Sequence, residues 1–300
     1  KQQVSTKQEI IEIQREVSKK FHNFFIPFSE LLKSYKKLIQ LKKILPNKQL
    51  EGLLKKARIR SLSGIVAITV ITKPYPCPGN CLYCPDISNM PKSYLPDEPA
   101  CMRALLNKFD PYKQIQMRIQ ALRANGHPTD KIELIILGGT WSYYPKKYQN
   151  WFIKRCFDGA NNKTSRNLEL AQKINEKTEN RIIGLTIETR PDYINLEEVE
   201  RLRKLGVTRV ELGIQSLEDD VLKFNKRGHL VDKTIKATEL LKNAGFKITY
   251  HMMLNLPGSD LKKDEKMFVK LFSNPDFQPD QLKIYPCAVL KTAPLYKMFL

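Results

Sequence analysis

The chain has 300 residues, of which 42% are hydrophobic, so it can bury a full core and extensive disorder is not expected. Its net charge is +20, from 51 Lys and Arg against 31 Asp and Glu. Such an excess attracts polyanions, either nucleic acid or an anionic membrane surface. No window offers the roughly 18 uninterrupted apolar residues of a membrane span, and no secretion signal is visible, so we expect a cytoplasmic protein.

The first fifth of the chain, residues 1–62, is strongly basic. It holds 15 Lys and Arg and 5 Asp and Glu, and therefore carries half of the total charge. Apolar stripes at helical spacing predict one helix over residues 10–17 and a second that Ser29 would cap, and Pro46 and Asn47 should start a third. One Lys-rich helix usually has a solvated polar face, but a whole basic block indicates contact with a polyanion.

From residue 64 onward, strand-like and helical segments alternate. The predicted strands are residues 65–71, 132–137, 182–187, 208–214, 248–254 and 281–285. Helical patterns separate them, for example at residues 197–205, 233–244 and 262–272. Repeated β/α units imply a parallel sheet with crossover helices, either doubly wound or an incomplete six-unit relative of the eight-unit β/α barrel. In both folds the active site lies at the carboxyl ends of the strands.

Three cysteines, Cys77, Cys81 and Cys84, lie within eight positions directly after the first predicted strand. Three thiolates at these spacings can ligate three irons of a four-iron cluster and leave the fourth iron open. A structural zinc ion is the alternative, although no His lies within or beside the motif to complete its ligands. The spacing, the tyrosine Tyr83 before the last cysteine and the position after a strand resemble the radical S-adenosylmethionine (SAM) enzymes. That resemblance implies a 4Fe-4S cluster, SAM on its open iron and a reductant that supplies the electron for SAM cleavage.

Residues at the ends of the other strands are candidates for binding SAM. Gly138 and Gly139 leave backbone groups uncovered where the family has a glycine-rich motif, although two glycines alone indicate only a turn. Glu188 could accept hydrogen bonds from SAM or form a surface ion pair with Arg190, and Gln215 could bind SAM or simply end a strand. The candidate cofactor-binding residues are Tyr83, Gly138, Gly139, Thr140, Glu188, Arg190, Gln215 and His251.

Beyond the cysteines, the chain resembles the catalytic subunit of Elongator, the family that carboxymethylates the wobble uridine of tRNA. The matching runs spread over residues 64–290 and include Leu-Gly-Gly-Thr-Trp at 137–141, Thr-Ile-Glu-Thr-Arg-Pro-Asp-Tyr at 186–193 and Glu-Leu-Gly-Ile-Gln-Ser at 211–216. The Gly-Ile-Gln-Ser part also occurs in coproporphyrinogen dehydrogenase-like radical enzymes. The short interval between Cys77 and Cys81 indicates an archaeal or bacterial member. The resemblance implies acetyl-CoA as co-substrate, bound by a C-terminal acetyltransferase domain whose motif this chain does not show.

The same resemblance implies a division of the chain and a substrate. We expect a helical tRNA-binding extension at residues 1–62 and a radical SAM domain at residues 63–300. The candidate tRNA-binding residues are Lys33, Lys36, Lys37, Lys55, Lys56 and Arg58. A homodimer and an Elongator-type complex both remain open, and no membrane partner is expected. Two other functions also remain open: a radical SAM enzyme acting on a small molecule, and a non-catalytic tRNA-binding iron-sulfur protein.

Overall fold

The framework of the molecule is one sheet of six parallel strands in sequential order. The computed structural model describes residues 4–21 and 24–298, without the side chains of Arg58 and Arg60. The strands are β1 Val66–Ile71, β2 Lys131–Leu137, β3 Arg181–Thr189, β4 Arg209–Gln215, β5 Lys247–Leu254 and β6 Gln281–Pro286. Every neighbouring pair is parallel. All six predicted strands are confirmed, with ends displaced by one or two residues.

The strand order explains why the sheet curls into part of a barrel. Right-handed crossovers between strands in sequential order place the connecting helices on one face, whereas a doubly wound sheet reverses its strand order. The prediction of a partial β/α barrel is therefore confirmed. The helices after β1 are α4 Pro99–Leu106, α5 Pro111–Ala124, α6 Lys146–Asn161, α7 Leu168–Asn175, α8 Leu196–Lys204, α9 Asp219–Phe224, α10 Val231–Asn243 and α11 Leu261–Ser273, numbered after three N-terminal helices. Among the described residues, no helix is long and apolar enough to cross a membrane.

Side chains alternate between the two faces of the sheet. In β2, Leu134 and Ile136 are buried and join Phe152 of α6 in the main hydrophobic core. Their neighbours Glu133 and Ile135 are only half-buried, because they face the concave inside of the partial barrel. Strands β3, β4 and β5 also contribute apolar side chains to this core, whereas β6 has no buried residue.

The basic N-terminal extension forms three helices, α1 Lys7–Lys20, α2 Phe28–Gln40 and α3 Lys48–Leu54. They bury a small core of their own, made of Ile10, Leu32, Tyr35 and Leu54. As predicted, Asn47 begins the third helix, where its side chain accepts a 3.0 Å hydrogen bond from the Leu50 N–H.

The predicted cap at Ser29 is wrong, because α2 already begins at Phe28. Pro27 precedes it with φ −67°, and no side-chain capping bond is formed there. A proline ring fixes φ near the value that a helix start needs, and it has no N–H to satisfy. The proline therefore sets the start of this helix two residues earlier than a serine cap would.

The extension docks at the amino-terminal edge of the sheet. The Lys56 N–H donates to the Asn125 carbonyl at 3.2 Å, and Ser61 Oγ lies 2.9 Å from His127 Nδ1. Asn125 and His127 lie between the end of α5 and the start of β2. The basic helices are therefore on the opposite edge from the carboxyl ends of the strands.

A glutamine side chain completes the free edge of β1 just before the cysteine loop. The Ile71 N–H donates to Gln114 Oε1 at 2.9 Å, and Gln114 Nε2 donates to the Ile71 carbonyl at 3.0 Å. Gln114 is 1% exposed, so neither backbone group can turn to water when the side chain is absent.

We therefore expect Gln114→Leu to lower the free energy of unfolding by about 2 to 4 kcal/mol, because two buried backbone groups lose their partners. Urea unfolding followed by circular dichroism measures the change. Gln120 lies exposed on the same helix, so Gln120→Leu is the matched control and should stay within about 0.5 kcal/mol of the parent. Equal stability of the two variants would show that this edge contact contributes nothing.

Candidate functional site

The three cysteines lie on an irregular loop that leaves the carboxyl end of β1. Three backbone hydrogen bonds tie this loop to distant parts of the chain: Leu82 N–H to Asn225 O (3.2 Å), Leu295 N–H to Leu82 O (2.7 Å) and Asp86 N–H to Thr292 O (3.2 Å). The segment after β6 therefore closes over the loop from one side. Two clefts of about 480 Å³ flank the loop, so its cysteine side remains open to a ligand.

Each cysteine of the loop has a different polar neighbour. Cys77 Sγ lies 3.7 Å from Thr140 Oγ1. Cys81 Sγ accepts a 3.4 Å hydrogen bond from Arg227 Nη1. Cys84 Sγ lies 2.7 Å from Ser93 Oγ. All three are free thiols, two of them buried and Cys77 half-buried.

The donor set and its spacing fit a cubane cluster. Within residues 4–21 and 24–298, no three His, Cys, Asp or Glu side chains converge as ligands of one metal ion. This does not conflict with a cluster, because each thiolate of a cubane binds a different iron at a different corner. Three soft thiols on one loop are the ligands that iron-sulfur clusters use, and the motif itself contains no His.

The electrostatic surroundings of the thiols differ. Burial alone would raise the pKa of the Cys81 thiol, but the charge and hydrogen bond of Arg227 outweigh it and hold that pKa below its usual value. Burial raises the pKa of Cys84 to about 12, despite the hydrogen bond with Ser93. Metal binding replaces the thiol proton, so the Arg227 contact makes Cys81 the more readily deprotonated of the two buried cysteines.

The end of β2 approaches β1 so closely that only glycine fits. Gly138 has φ +140°, and a Cβ there would lie 1.8 Å from Thr72 Oγ1. Thr72 Oγ1 in turn lies 2.8 Å from Tyr144 Oη. Gly139 adopts φ +92° beside it, and Thr140 then directs its hydroxyl towards Cys77. The glycine pair thus brings the second strand end against the cysteine loop.

A charged network crosses the inner face of the sheet. His251 Nε2 lies 2.8 Å from Glu211 Oε2, and its Nδ1 lies 3.6 Å from Glu188 Oε1. Lys283 Nζ donates to Glu211 Oε2 at 2.6 Å, and Tyr94 Oη donates to Glu188 Oε2. Burial alone would raise the pKa of Glu211, but the bonds from His251 and Lys283 hold it below its usual value. The network therefore keeps buried charge on the face that the cysteine loop covers.

The structure shows that Glu188 and Arg190, which lie two residues apart, have different partners. The predicted alternative of an ion pair between Glu188 and Arg190 is wrong, because Arg190 donates two 2.9 Å hydrogen bonds to Asp192 instead. Glu188 lies within β3 and faces the inner side, whereas Arg190 follows the end of the strand and reaches Gly79 of the cysteine loop. Arg190 is therefore placed to support the loop rather than to contact a ligand on the inner face.

Gln215 ends β4 in an unusual conformation. Its φ is +75°, which costs a non-glycine residue on the order of 1 to 2 kcal/mol, and such strain persists mainly at functional sites. Its Oε1 atom is buried without a hydrogen-bond partner in the described structure, so it is available to a ligand. The Tyr83 hydroxyl, by contrast, is buried beside the Cys81 thiol.

The candidate tRNA-binding lysines lie on α2 and just after α3. Lys33, Lys36 and Lys37 are exposed on α2 and line a cleft that also includes Arg123. Lys55 is half-buried and Lys56 exposed just after α3, and the side chain of Arg58 lies outside the described part of the structure.

Several residues of the site were not among the candidate site residues from the sequence. Glu211 lies two and four residues before Gly213 and Gln215, so period-two alternation alone places all three on one face. Arg227, Ser93 and Lys283 carry no such local signal, because their partners are distant in sequence. Arg227 and Cys81 are 146 residues apart, for example.

Comparisons with known proteins agree with this geometry. A family model described as the Radical SAM superfamily matches residues 71–270. A Methanocaldococcus infernus protein named tRNA uridine(34) acetyltransferase is 51% identical over 253 residues, 82% of this chain and 47% of the relative. Elongator complex protein 3 of Bos taurus is 40% identical over 257 residues, with the same coverage of 82% and 47%. The resemblance to the catalytic subunit of Elongator is thereby confirmed.

A solved structure is similar as well. Archaeal Elp3 of Methanocaldococcus infernus, with an N-terminal deletion, superposes with a TM-score of 0.68 at 47% identity. The match covers 79% of this chain and 49% of that one. The chain thus spans about half the length of the relatives that it matches.

The inner-face geometry makes a prediction about SAM. We expect Glu188→Ala and Gln215→Ala each to keep the cluster iron of the parent and to weaken SAM binding about tenfold, since one hydrogen bond involving a charged group contributes on the order of 1.5 kcal/mol. Anaerobic calorimetry measures binding, and iron analysis checks the cluster. Glu197→Ala removes an exposed carboxylate and serves as control. Parental SAM affinity in both site variants would place the pocket elsewhere.

Proposed function

Because this chain belongs to the radical SAM superfamily, we propose that Cys77, Cys81 and Cys84 hold a 4Fe-4S cluster and that the inner face beside them binds SAM. The family itself implies both cofactors. The observation that carries the assignment to these residues is the loop of three free thiols at the carboxyl edge, each with its own polar neighbour. When bound, the cluster supplies the electron that cleaves SAM to a 5′-deoxyadenosyl radical.

The residues of the chain divide the remaining tasks. Gly138, Gly139 and Thr140 leave backbone groups near Cys77, where the amino acid part of SAM would be bound. Glu188 and Gln215 present acceptor oxygens along the inner face. Glu211 holds one ring nitrogen of His251, and the other ring nitrogen faces Glu188 and orients it. The cover formed by residues 292–295 excludes water from one side of the cysteine loop.

We further propose that the substrate is tRNA. Relatives matched over 82% of this chain are named tRNA uridine(34) acetyltransferase and Elongator complex protein 3. The chain would be the radical SAM part of an enzyme that uses the radical and acetyl-CoA to place a carboxymethyl group on carbon five of the wobble uridine. Residues 1–62 would bind the tRNA and residues 63–300 would form the catalytic domain. An external reductant and either a homodimer or an Elongator-type complex complete the proposal.

The cluster assignment predicts the result of anaerobic reconstitution. The parent protein should take up about four irons per chain and form 5′-deoxyadenosine from SAM, whereas Cys81→Ser should lose both the brown colour and the cleavage, because one corner loses its ligand. Iron analysis, visible absorption and chromatography measure the three quantities.

Cys287→Ser is the matched control, since Cys287 is a half-buried thiol outside the loop. It should keep the cluster and the cleavage. Stoichiometric zinc without iron uptake would instead support the structural zinc site. Intact iron without any SAM cleavage, with or without tRNA and acetyl-CoA, would favour the non-catalytic tRNA-binding protein.

The tRNA proposal predicts a salt-dependent effect of the α2 lysines. Replacing Lys33, Lys36 and Lys37 with Gln should weaken binding of all tRNAs alike and flatten the salt dependence by about one unit of slope for each lysine that meets a phosphate. Filter binding across a salt series gives both quantities. SAM cleavage without tRNA should equal that of the parent, because α2 lies at the far edge of the sheet.

The control variant removes the same amount of charge from two helices outside the extension. Lys236, Lys242 and Lys266 are exposed on α10 and α11, so their replacement with Gln should leave the slope almost unchanged. If both triple variants lose affinity equally, net charge alone governs binding and the extension has no special role. A parent protein that cleaves SAM but binds no tRNA would favour a small-molecule radical enzyme.

A further inference from the structure

Two buried guanidinium groups lie beneath the cysteine loop. Arg190 is 4% exposed and Arg227 is 7% exposed, and Arg190 Nη2 donates a 2.8 Å hydrogen bond to the Arg227 carbonyl. Burying two positive charges beneath one loop is costly in solvation free energy, so a fold tolerates it where the charges meet compensating partners. The partners of the two side chains are unequal.

Arg190 is neutralised and Arg227 is not. Arg190 forms a bidentate ion pair with Asp192. Within the described chain, Arg227 has no carboxylate within salt-bridge distance; its Nη1 donates to Cys81 Sγ at 3.4 Å and its Nη2 donates to the Gly213 carbonyl. A guanidinium stays protonated in proteins, so a permanent positive charge is fixed against one proposed cluster ligand.

The backbone around both guanidinium groups leaves room for them. A Cβ at Gly213 would lie 2.7 Å from Arg227 Nη2, and a Cβ at Gly79 would lie 2.4 Å from Arg190 Nη1. Both distances are shorter than any ordinary carbon contact. Strand β4 and the cysteine loop thus each use a glycine where a guanidinium approaches, which makes the arrangement a formed site rather than a chance contact.

We propose that Arg227 is a positioning residue that raises the reduction potential of the cluster by holding a positive charge and an N–H donor against Cys81. Reduction adds an electron to the cluster, and a nearby fixed cation stabilises the more negative state. Hydrogen bonds to ligand sulfurs and local charge are known determinants of iron-sulfur potentials. Gly213 and Arg190 keep the guanidinium in place. The inference rests on the proposed cluster site.

The midpoint potential of the cluster tests this role. The reconstituted chain is titrated with dithionite in the presence of mediators, without SAM or tRNA, and the reduced cluster is followed by electron paramagnetic resonance. Arg227→Gln should shift the midpoint to a more negative value at parental iron content. Arg227→Lys keeps the charge but lacks the planar guanidinium fork that donates to the Gly213 carbonyl and to Cys81 Sγ at once. Its shift should therefore be smaller. Arg181→Gln removes an exposed charge at the amino-terminal end of β3 and should leave the midpoint unchanged.

Asp192→Asn gives a test of opposite sign. It removes the negative charge that pairs with Arg190, so the midpoint should move to a less negative value. If Arg227→Gln assembles no cluster, Arg227→Lys decides, and a midpoint equal to or less negative than that of the parent would overturn the inference. Parental midpoint and parental iron in Arg227→Gln would overturn it directly. A parent that takes up no iron would overturn the proposed function itself, and this inference with it.

Discussion

The parallel register of the six strands decides where each candidate site residue lies. Parallel strands end at one common edge, and successive side chains point to opposite faces. Ile187, Leu212 and Tyr250 belong to the helix-packed core, so the residues beside them in sequence must face inwards. Glu188, Glu211 and His251 are those residues. A slip of one position would exchange core and inner face along a whole strand, and the size of the apolar core strongly opposes such a slip.

That constraint places ionisable groups where solvation is poor, and the fold compensates them locally. Glu211 is 1% exposed, and a lone carboxylate at such a site would be neutralised or would destabilise the fold. Its bonds to His251 and Lys283 keep it charged. Glu188 is only part-buried and has Tyr94 and His251 as partners. The inner face is therefore a preorganised polar surface, as binding a charged and highly polar ligand requires.

The cysteine loop shows a different way of achieving rigidity. It has no regular secondary structure, so its order depends on bonds to Asn225 and to the segment 292–295, both far away in sequence. Asn225 in turn donates to the Pro257 carbonyl. The segments around Asn225 and Pro257 and the last described segment thus fix the cysteine loop together.

The sequence predicted those features that depend on local pattern. Apolar runs gave six strands close to their observed ends, because a buried parallel strand needs an unbroken apolar core face. The Cys77, Cys81 and Cys84 spacing was equally visible, since all three ligands lie on one loop. The hydrogen bond between Cys81 and Arg227 and the ion pair between Arg190 and Asp192 were not visible in the sequence, because tertiary contacts determine them. The start of α2 was misplaced because proline geometry prevailed over serine capping at the same turn.

The proposed division between binding and chemistry follows from where the basic extension docks. Its helices attach at the amino-terminal edge of the sheet, through Lys56 and Ser61, whereas the thiols lie at the carboxyl edge. Helix α5 runs from one edge to the other and has 14 residues, a length of about 21 Å. An RNA held at both places must therefore extend along this flank of the barrel. In the proposed function, phosphate contacts at the far edge would give affinity without sequence information, while an unpaired base would enter the inner face to be selected. Affinity and base selection then depend on different residues, which allows either to change without the other.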